Sequence, residues 1–275
     1  MIDLHCHILQ KIDDGPQIVE ESLEMARAYF ENGYKIITAT PHMIPGTSWM
    51  PSADLVKRKI TTLSHSIEKK GLGIKIVPGM EVALDPQIPD LLDDGRLLCL
   101  GESSYLLIEP PFQLLPPRWE QIIFSVLSKG YSILLAHPER CGQLADKPKL
   151  IEHLIESGVH LQVNWGSLIG SHGREVARTA RNMAKKDFIH CLATDSHSRR
   201  DLDLSELQAA KDMLRDLVGP DNLRLLALEN PMKVLCGEVP SAMKKVDLAG
   251  SRKKERSWHF WKRKNKKPVP INSRQ

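Results

Sequence analysis

The chain has 275 residues, enough to bury a large core in one α/β domain. Its formal net charge of +4 is unevenly held: residues 241–275 carry 12 Lys/Arg against 2 Asp/Glu, leaving 26 basic and 32 acidic side chains before them. The basic excess therefore gives no ground for nucleic-acid binding by the body of the chain, and none is expected. Five scattered cysteines without CxxC spacing speak against a disulfide scaffold and fit a reducing compartment. No apolar run approaches membrane-spanning length and the chain opens on a strand, so a cytoplasmic protein is expected.

Ile2 to His7 reads as the first strand. Alternate side chains of a strand share a face, so His5 and His7 project together while Cys6 points away. Imidazole is the commonest metal-ligand side chain, and Asp13 and Asp14 follow with hard oxygen donors. A helix is expected over Val19 to Asn32 with Gly33 as its C-cap, then a strand from Lys35 to Thr40 that leads to His42. A second helix, Asp54 to Lys70, precedes the strand Ile74 to Pro78, which leads to Glu81. The strand Tyr105 to Ile108 ends at Glu109, and a helix from Trp119 to Lys129 stops before Gly130. Ser132 to Ala136 leads to His137 and Arg140, and Phe188 to Ala193 leads to Asp195 and His197.

The strand between them, His160 to Val163, is the exception: Asn164 and Trp165 after it can line a pocket but are poor ligands. His65, His153, His172 and His190 have no matching acidic neighbour at a strand end. Asp201-Leu-Asp203-Leu-Ser205 imitates the phosphate-accepting motif of aspartyl-phosphate enzymes, but it opens a helix and reads as a cap. Seven strands alternating with helices suggest a parallel β/α barrel, in which all strand C-termini reach one face and these scattered residues converge. The fold is expected to end near Pro240. The basic segment 241–275 has too little apolar content to bury itself, and disorder is expected there. Its Trp258, Phe260 and Trp261, set among Lys and Arg, suit an anionic membrane surface or an acidic partner.

Six motifs in order, HCHIL…DDGP, ATPH, PGxE, IEPP, AHPER and TDSH, together with Asn230-Pro231, resemble the polymerase and histidinol phosphatase (PHP) superfamily. Within it the chain is similar to the manganese-dependent protein-tyrosine phosphatases of bacterial capsular and exopolysaccharide operons. The resemblance spans residues 1–240. It implies a distorted seven-stranded barrel with three divalent ions, manganese or alternatively iron or zinc. It also implies action in the cytoplasm on a tyrosine-phosphorylated kinase of polysaccharide export. By the same resemblance His5, His7, Glu81 and Asp195 surround one ion, and Glu81 bridges to a second held by Glu109 and His137. Asp14, His42 and His197 hold the third, and Arg140 contacts the phosphate. Two departures stand out: Gln10 and Lys11 replace a usual Pro-Gly, and Arg199 and Arg200 come earlier than the family's second phosphate-binding arginine.

Three divalent ions against four carboxylates would leave about +2 before Arg140 is counted, which attracts a phosphate dianion. A hydroxide activated between ions is the expected nucleophile. A cysteine-based phosphatase needs an arginine six positions after its cysteine; here those positions hold Ile12, Tyr105, Lys147, His197 and Ala242. Two other readings stand beside the leading one. One is a small-molecule phosphomonoesterase of the histidinol-phosphate type; the other is a binding module acting through the basic segment.

Overall fold

Parallel strands dominate the computed structural model, which describes residues 1–244. Among those residues the elements run β1 (Ile2–Cys6), α1 (Val19–Glu31), β2 (Ile36–Ala39), β3 (His42–Met43), α2 (Ala53–Lys69), β4 (Lys75–Pro78) and β5 (Glu81–Ala83). There follow α3 (Ile88–Asp93), β6 (Tyr105–Glu109), α4 (Trp119–Ser128), β7 (Ser132–Ala136), α5 (Gly142–Asp146), α6 (Pro148–Glu156) and β8 (Val159–Asn164). The chain then forms α7 (Trp165–Ile169), α8 (Arg174–Lys185), β9 (Cys191–Ala193), α9 (Leu204–Val218), α10 (Pro220–Arg224) and α11 (Asn230–Leu235). One sheet has the order β1-β2-β4 and the other β3-β5-β6-β7-β8-β9.

The seven expected strands thus become nine in two sheets, because two runs are interrupted. The second run breaks at Pro41, whose ring removes the N–H a ladder needs, and resumes as β3. The third breaks at Gly79 and resumes as β5; a Cβ there would lie 2.9 Å from Thr38 Cγ2 and 3.0 Å from Leu100 Cδ2. Each break re-aims a site residue, His42 in one case and Glu81 in the other. The first and last strands meet beyond the sheets: Cys6 bridges Ser196, the His7 N–H donates to Ser196 O at 3.0 Å, and the Asp195 N–H donates to His5 O at 3.0 Å.

Both faces of the larger sheet are apolar, as buried parallel strands require. Leu106, Ile108, Ile133 and Leu135 join the main core, while Tyr105, Leu107, Leu134 and Ala136 pack with Ile2 and Leu4 in a second cluster. Helix α2 shows why the covering layer forms. Ser52 accepts from the Leu55 N–H at 3.2 Å, and Val56, Ile60, Leu63 and Ile67 bury one face at helical spacing. Each such side chain contributes roughly 1.5–3 kcal/mol on burial. Asp203 caps α9 by accepting from the Ser205 and Glu206 N–H groups, the role read for that segment from sequence.

A buried polar knot ties the first strand to the last. The Asp3 carboxylate accepts from Tyr29 Oη at 2.8 Å and from Thr194 Oγ1 at 2.6 Å. The compact unit covers residues 1–243, three beyond the expected end at Pro240. Asn230 explains the difference: its Nδ2 donates to His190 O and Ser241 O, and its Oδ1 accepts from the Ser241 N–H, each at 2.8 Å. The Met243 N–H then donates to Asp187 Oδ1 at 2.9 Å. The basic segment from residue 245 onward, with its aromatic residues, lies outside the described residues. No helix among the described residues is long and apolar enough to cross a membrane.

Candidate metal centre

Nine side chains from the ends of six strand runs meet in one place. The β1 pair comes first, with His5 Nε2 and His7 Nε2 3.2 Å apart. Glu81, at the start of β5, lies at the middle: its Oε1 is 3.1 Å from His5 Nε2 and 3.1 Å from His137 Nε2, and its Oε2 is 3.3 Å from His7 Nε2 and 2.9 Å from His42 Nδ1. Glu109 reaches His137 at 3.7 Å and His42 at 4.0 Å. Asp195 lies 3.3 Å from His5 and 3.5 Å from His7 through Oδ1, and 3.8 Å from His137 through Oδ2. On the solvent side Asp14 Oδ1 is 3.2 Å from His197 Nε2 and 3.5 Å from His42 Nε2.

These atoms fall into four overlapping groups whose donors lie within 4.8 Å of one another: His7, Asp14, His42, His197; His5, His7, Glu81; His5, His137, Asp195; and His42, Glu81, Glu109. All nine residues implied by the resemblance are brought together. Their partition differs from the implied one, since His7 also joins the outer group and His42 also faces Glu81 and Glu109.

The donor chemistry fits divalent cations. Imidazoles and carboxylates without a thiolate suit borderline-to-hard ions. Glu81 Oε2 and His42 Nδ1 are buried and face each other without making a hydrogen bond, as unpaired donors awaiting a cation would. Other ring nitrogens are already committed so that their partners face inward. His5 Nδ1 lies 3.0 Å from Gln162 Oε1, His7 Nδ1 2.9 Å from Asp13 Oδ2, and His197 Nδ1 3.0 Å from Asp195 O. Each contact assigns the proton to Nδ1 and leaves Nε2 with a lone pair for a metal.

Electrostatics agree with this reading. Burial alone would raise the Glu81 carboxyl, but the surrounding imidazoles of His5, His137 and His42 outweigh it and hold Glu81 well below the usual carboxylate range. Burial would lower His5, yet Glu81 and Asp195 lift it to about 9. Glu109 moves the other way, pushed up by its own burial and then by the nearby Glu81 charge. So much buried negative charge attracts cations, whether protons or metals.

Backbone strain helps aim two of the candidate ligands. His137 and Asp195 have φ of 30° and 55°, left-handed conformations that non-glycine residues adopt at a cost of order 1–3 kcal/mol. Arg140 sits at the rim, with Nη1 donating to Asp195 Oδ2 at 2.7 Å. Beside it opens a cleft of about 270 Å3 whose lining includes Asp195, His197 and Arg140 together with Trp165, Ile169 and Leu207. Arg200 lines this cleft, whereas Arg199 turns away, its Nη2 4.0 Å from Glu31.

Gln162 escapes the sequence reading, His172 is set aside in it, and Asn164 figures there only as a pocket-lining residue. Gln162 and Asn164 alternate onto one face of β8, where Gln162 holds His5 and Asn164 Nδ2 donates to Asp195 Oδ2 at 2.8 Å. Two buried amides spaced i, i+2 in a strand whose other face is apolar are the signal for them. Asp13 orients His7 while its neighbour Asp14 faces the cluster, a division that two adjacent carboxylates do not reveal in sequence. His172, set aside from sequence, lines the cleft. Cys6 is fully buried and burial pushes its thiol well above the ordinary range, so it offers no nucleophile.

Parallel α/β architecture with imidazoles and carboxylates gathered around shared points defines the class of metal-dependent hydrolases. The family model for capsular polysaccharide synthesis, CpsB/CapC, matches residues 1–236, and the chain belongs to that family. It is 34% identical to the tyrosine-protein phosphatase YwqE of Bacillus subtilis (strain 168) over 198 residues, 72% of this chain and 78% of that protein. It is 27% identical to the tyrosine-protein phosphatase CpsB of Streptococcus agalactiae serotype III (strain NEM316) over 246 residues, 86% of this chain and 98% of that one. Among solved structures it matches a chain from the work on YwqE of Bacillus subtilis and CpsB of Streptococcus pneumoniae, described as unique metal-dependent tyrosine phosphatases. The match has a TM-score of 0.82 at 31% identity and covers 90% of this chain and 100% of that one.

Proposed function

We propose that this protein is a metal-dependent phosphotyrosine-protein phosphatase that acts in the cytoplasm on a tyrosine kinase of capsular or exopolysaccharide export. The observation that carries the reading is the convergence of five imidazoles and four carboxylates, Glu81 central among them, with an arginine at the rim, in a chain whose relatives bear that activity in their names. Three divalent ions fit the donor set, manganese first, with iron or zinc as substitutes. By the resemblance one would take His5, His7, Glu81 and Asp195, a second Glu81, Glu109 and His137, and a third Asp14, His42 and His197, sets supported by the pairwise approaches within each. We also read the two sheets as one distorted barrel, supported by the Cys6–Ser196 bridge between first and last strands.

When bound, such ions supply Lewis acidity and lower the pKa of water towards neutrality, providing a hydroxide nucleophile. The chain's own residues do the rest. Gln162 and Asp13 keep His5 and His7 in the tautomer that presents Nε2. Arg140 offers N–H donors to the phosphoryl oxygens as charge builds on them, and Arg200 is placed to add to it. The cleft's apolar lining residues Trp165, Ile169 and Leu207 suit an aryl ring. A phenolate leaving group, with a parent pKa near about 10, makes little demand on a general acid. The basic segment after Lys244 is proposed to dock on an anionic membrane surface or an acidic partner.

The test is turnover by the purified chain. Phosphate release from a phosphotyrosine peptide should require manganese, vanish on chelation and survive thiol alkylation. Histidinol phosphate should be turned over at least about 100-fold less efficiently. Full activity after thorough metal removal would overturn the reading, and a preference for histidinol phosphate would replace it with the small-molecule one.

A further inference from the structure

Phe112 is a large apolar side chain left 48% exposed at the rim of a polar centre. It stands three positions after Glu109, on the loop that follows β6, and its ring carries the Arg140 guanidinium 4.6 Å from the centroid. The same ring lies 6.1 Å from that of His137, tilted by 31°. Its loop is laced to the segment that bears Arg140. The Gly142 N–H donates to Phe112 O at 2.8 Å, the Gln143 N–H to Gln113 O at 2.9 Å, and the Leu115 N–H to Gln143 Oε1 at 2.9 Å. These bonds hold the two loop backbones together and so bring ring and guanidinium side by side.

Among the described residues Arg140 has one other tether, the bond from Nη1 to Asp195 Oδ2. That carboxylate is heavily shared, since Asn164 donates to the same oxygen and His5 and His7 approach the other. A guanidinium held by its face on a ring keeps its in-plane N–H edges free, and those edges match the paired oxygens of a phosphate. We infer that Phe112 is a positioning residue for phosphate recognition: its ring fixes the plane of Arg140 so that the unused N–H edges meet the phosphoryl group. This rests on the phosphatase reading above.

The test compares Phe112→Ala, Phe112→Leu, which keeps bulk without a π face, and Phe112→Tyr, which keeps the face. Inorganic phosphate binding to the metal-loaded protein is measured by calorimetry alongside KM, kcat and metal content. Phe112→Ala and Phe112→Leu should weaken phosphate binding and raise KM for a phosphotyrosine peptide by about 3- to 30-fold, with kcat and metal content little changed. Phe112→Tyr should stay within about twofold of the unmodified protein. If Phe112→Leu binds phosphate as well as the unmodified protein, the ring is only filler and the inference fails. Loss of kcat together with metal would likewise overturn it, by showing a structural role. A chain inert towards phosphotyrosine would refute the phosphatase reading, while the phosphate titrations would still decide the role of Phe112.

Discussion

The inner and outer parts of the metal centre are built differently. His5, His7, Glu81 and His137 lie on strands or directly after them and are almost sealed from solvent. Asp14 and His197 belong to loops and keep 46% and 29% of their side chains exposed. Inner ligands are held by further side chains, Gln162, Asp13 and Asn164 among them, so the fold bears the cost of ordering them before an ion arrives. Outer ligands depend more on the ion itself for their order. On the proposed function, a cation in the inner part should therefore bind tightly and one in the outer part should exchange readily.

The largest expected effect breaks or upholds this contrast directly. Glu81→Gln removes the carboxylate that touches four imidazoles, and kcat should fall by about 10³-fold or more with loss of inner metal. Asp14→Ala should cost about 10- to 100-fold and empty the outer position alone. Metal content beside kinetics decides the matter: if Asp14→Ala strips the whole centre, the two parts are not distinct. A smaller effect tests the supports. Asp13→Asn and Gln162→Leu should each weaken inner-metal affinity by about 10- to 100-fold in a chelator competition, although neither residue is placed as a ligand. Affinities equal to that of the unmodified protein would locate the rigidity elsewhere.

Two further substitutions sharpen the picture on the scaffold side. Tyr29→Phe takes one hydrogen bond from the buried Asp3 carboxylate and should lower unfolding stability by about 1–3 kcal/mol in denaturant titration. The mildest is a pH effect at His190, beneath β9. Burial first, and then His160, depress its pKa to about 4, while Nδ1 accepts from the Leu161 N–H at 3.1 Å. The unfolded chain, near 6.5, binds the proton more readily, so stability is full above about pH 6.5 and falls as pH drops towards 4. His190→Asn should flatten this dependence by on the order of 1–3 kcal/mol relative to the unmodified protein, and an unchanged slope would assign it to other groups.

Much of this organisation is legible before any coordinates. The strand ends at His42, Glu81, Glu109, His137 and Asp195 follow from short apolar runs followed by ligand-type residues, a pattern with a physical basis in parallel sheets. The interruptions at Pro41 and Gly79 were not read, although Pro marks a lost ladder donor, because apolar periodicity says nothing of where a strand changes sheet. Asn164 was passed over as a poor ligand and Gln162 was not considered, which leaves out the work of orienting a ligand. Phe112 carries no local signal at all. Its meaning depends on Arg140, which another loop delivers, and such contacts between loops have no sequence period.

The knot of Asp3, Tyr29 and Thr194 bears on how the molecule comes into being. It joins positions 191 apart, and contacts of such separation form late because the loop between them must first be closed. A nascent chain that has made β1 already displays His5 and His7, yet the segment bearing Asp195 and His197 is still to be synthesised. Catalytic competence then arrives with the last strand, so turnover reports completed folding, and a ribosome-bound fragment ending before Thr194 would carry seven of the nine clustered side chains and no enzyme.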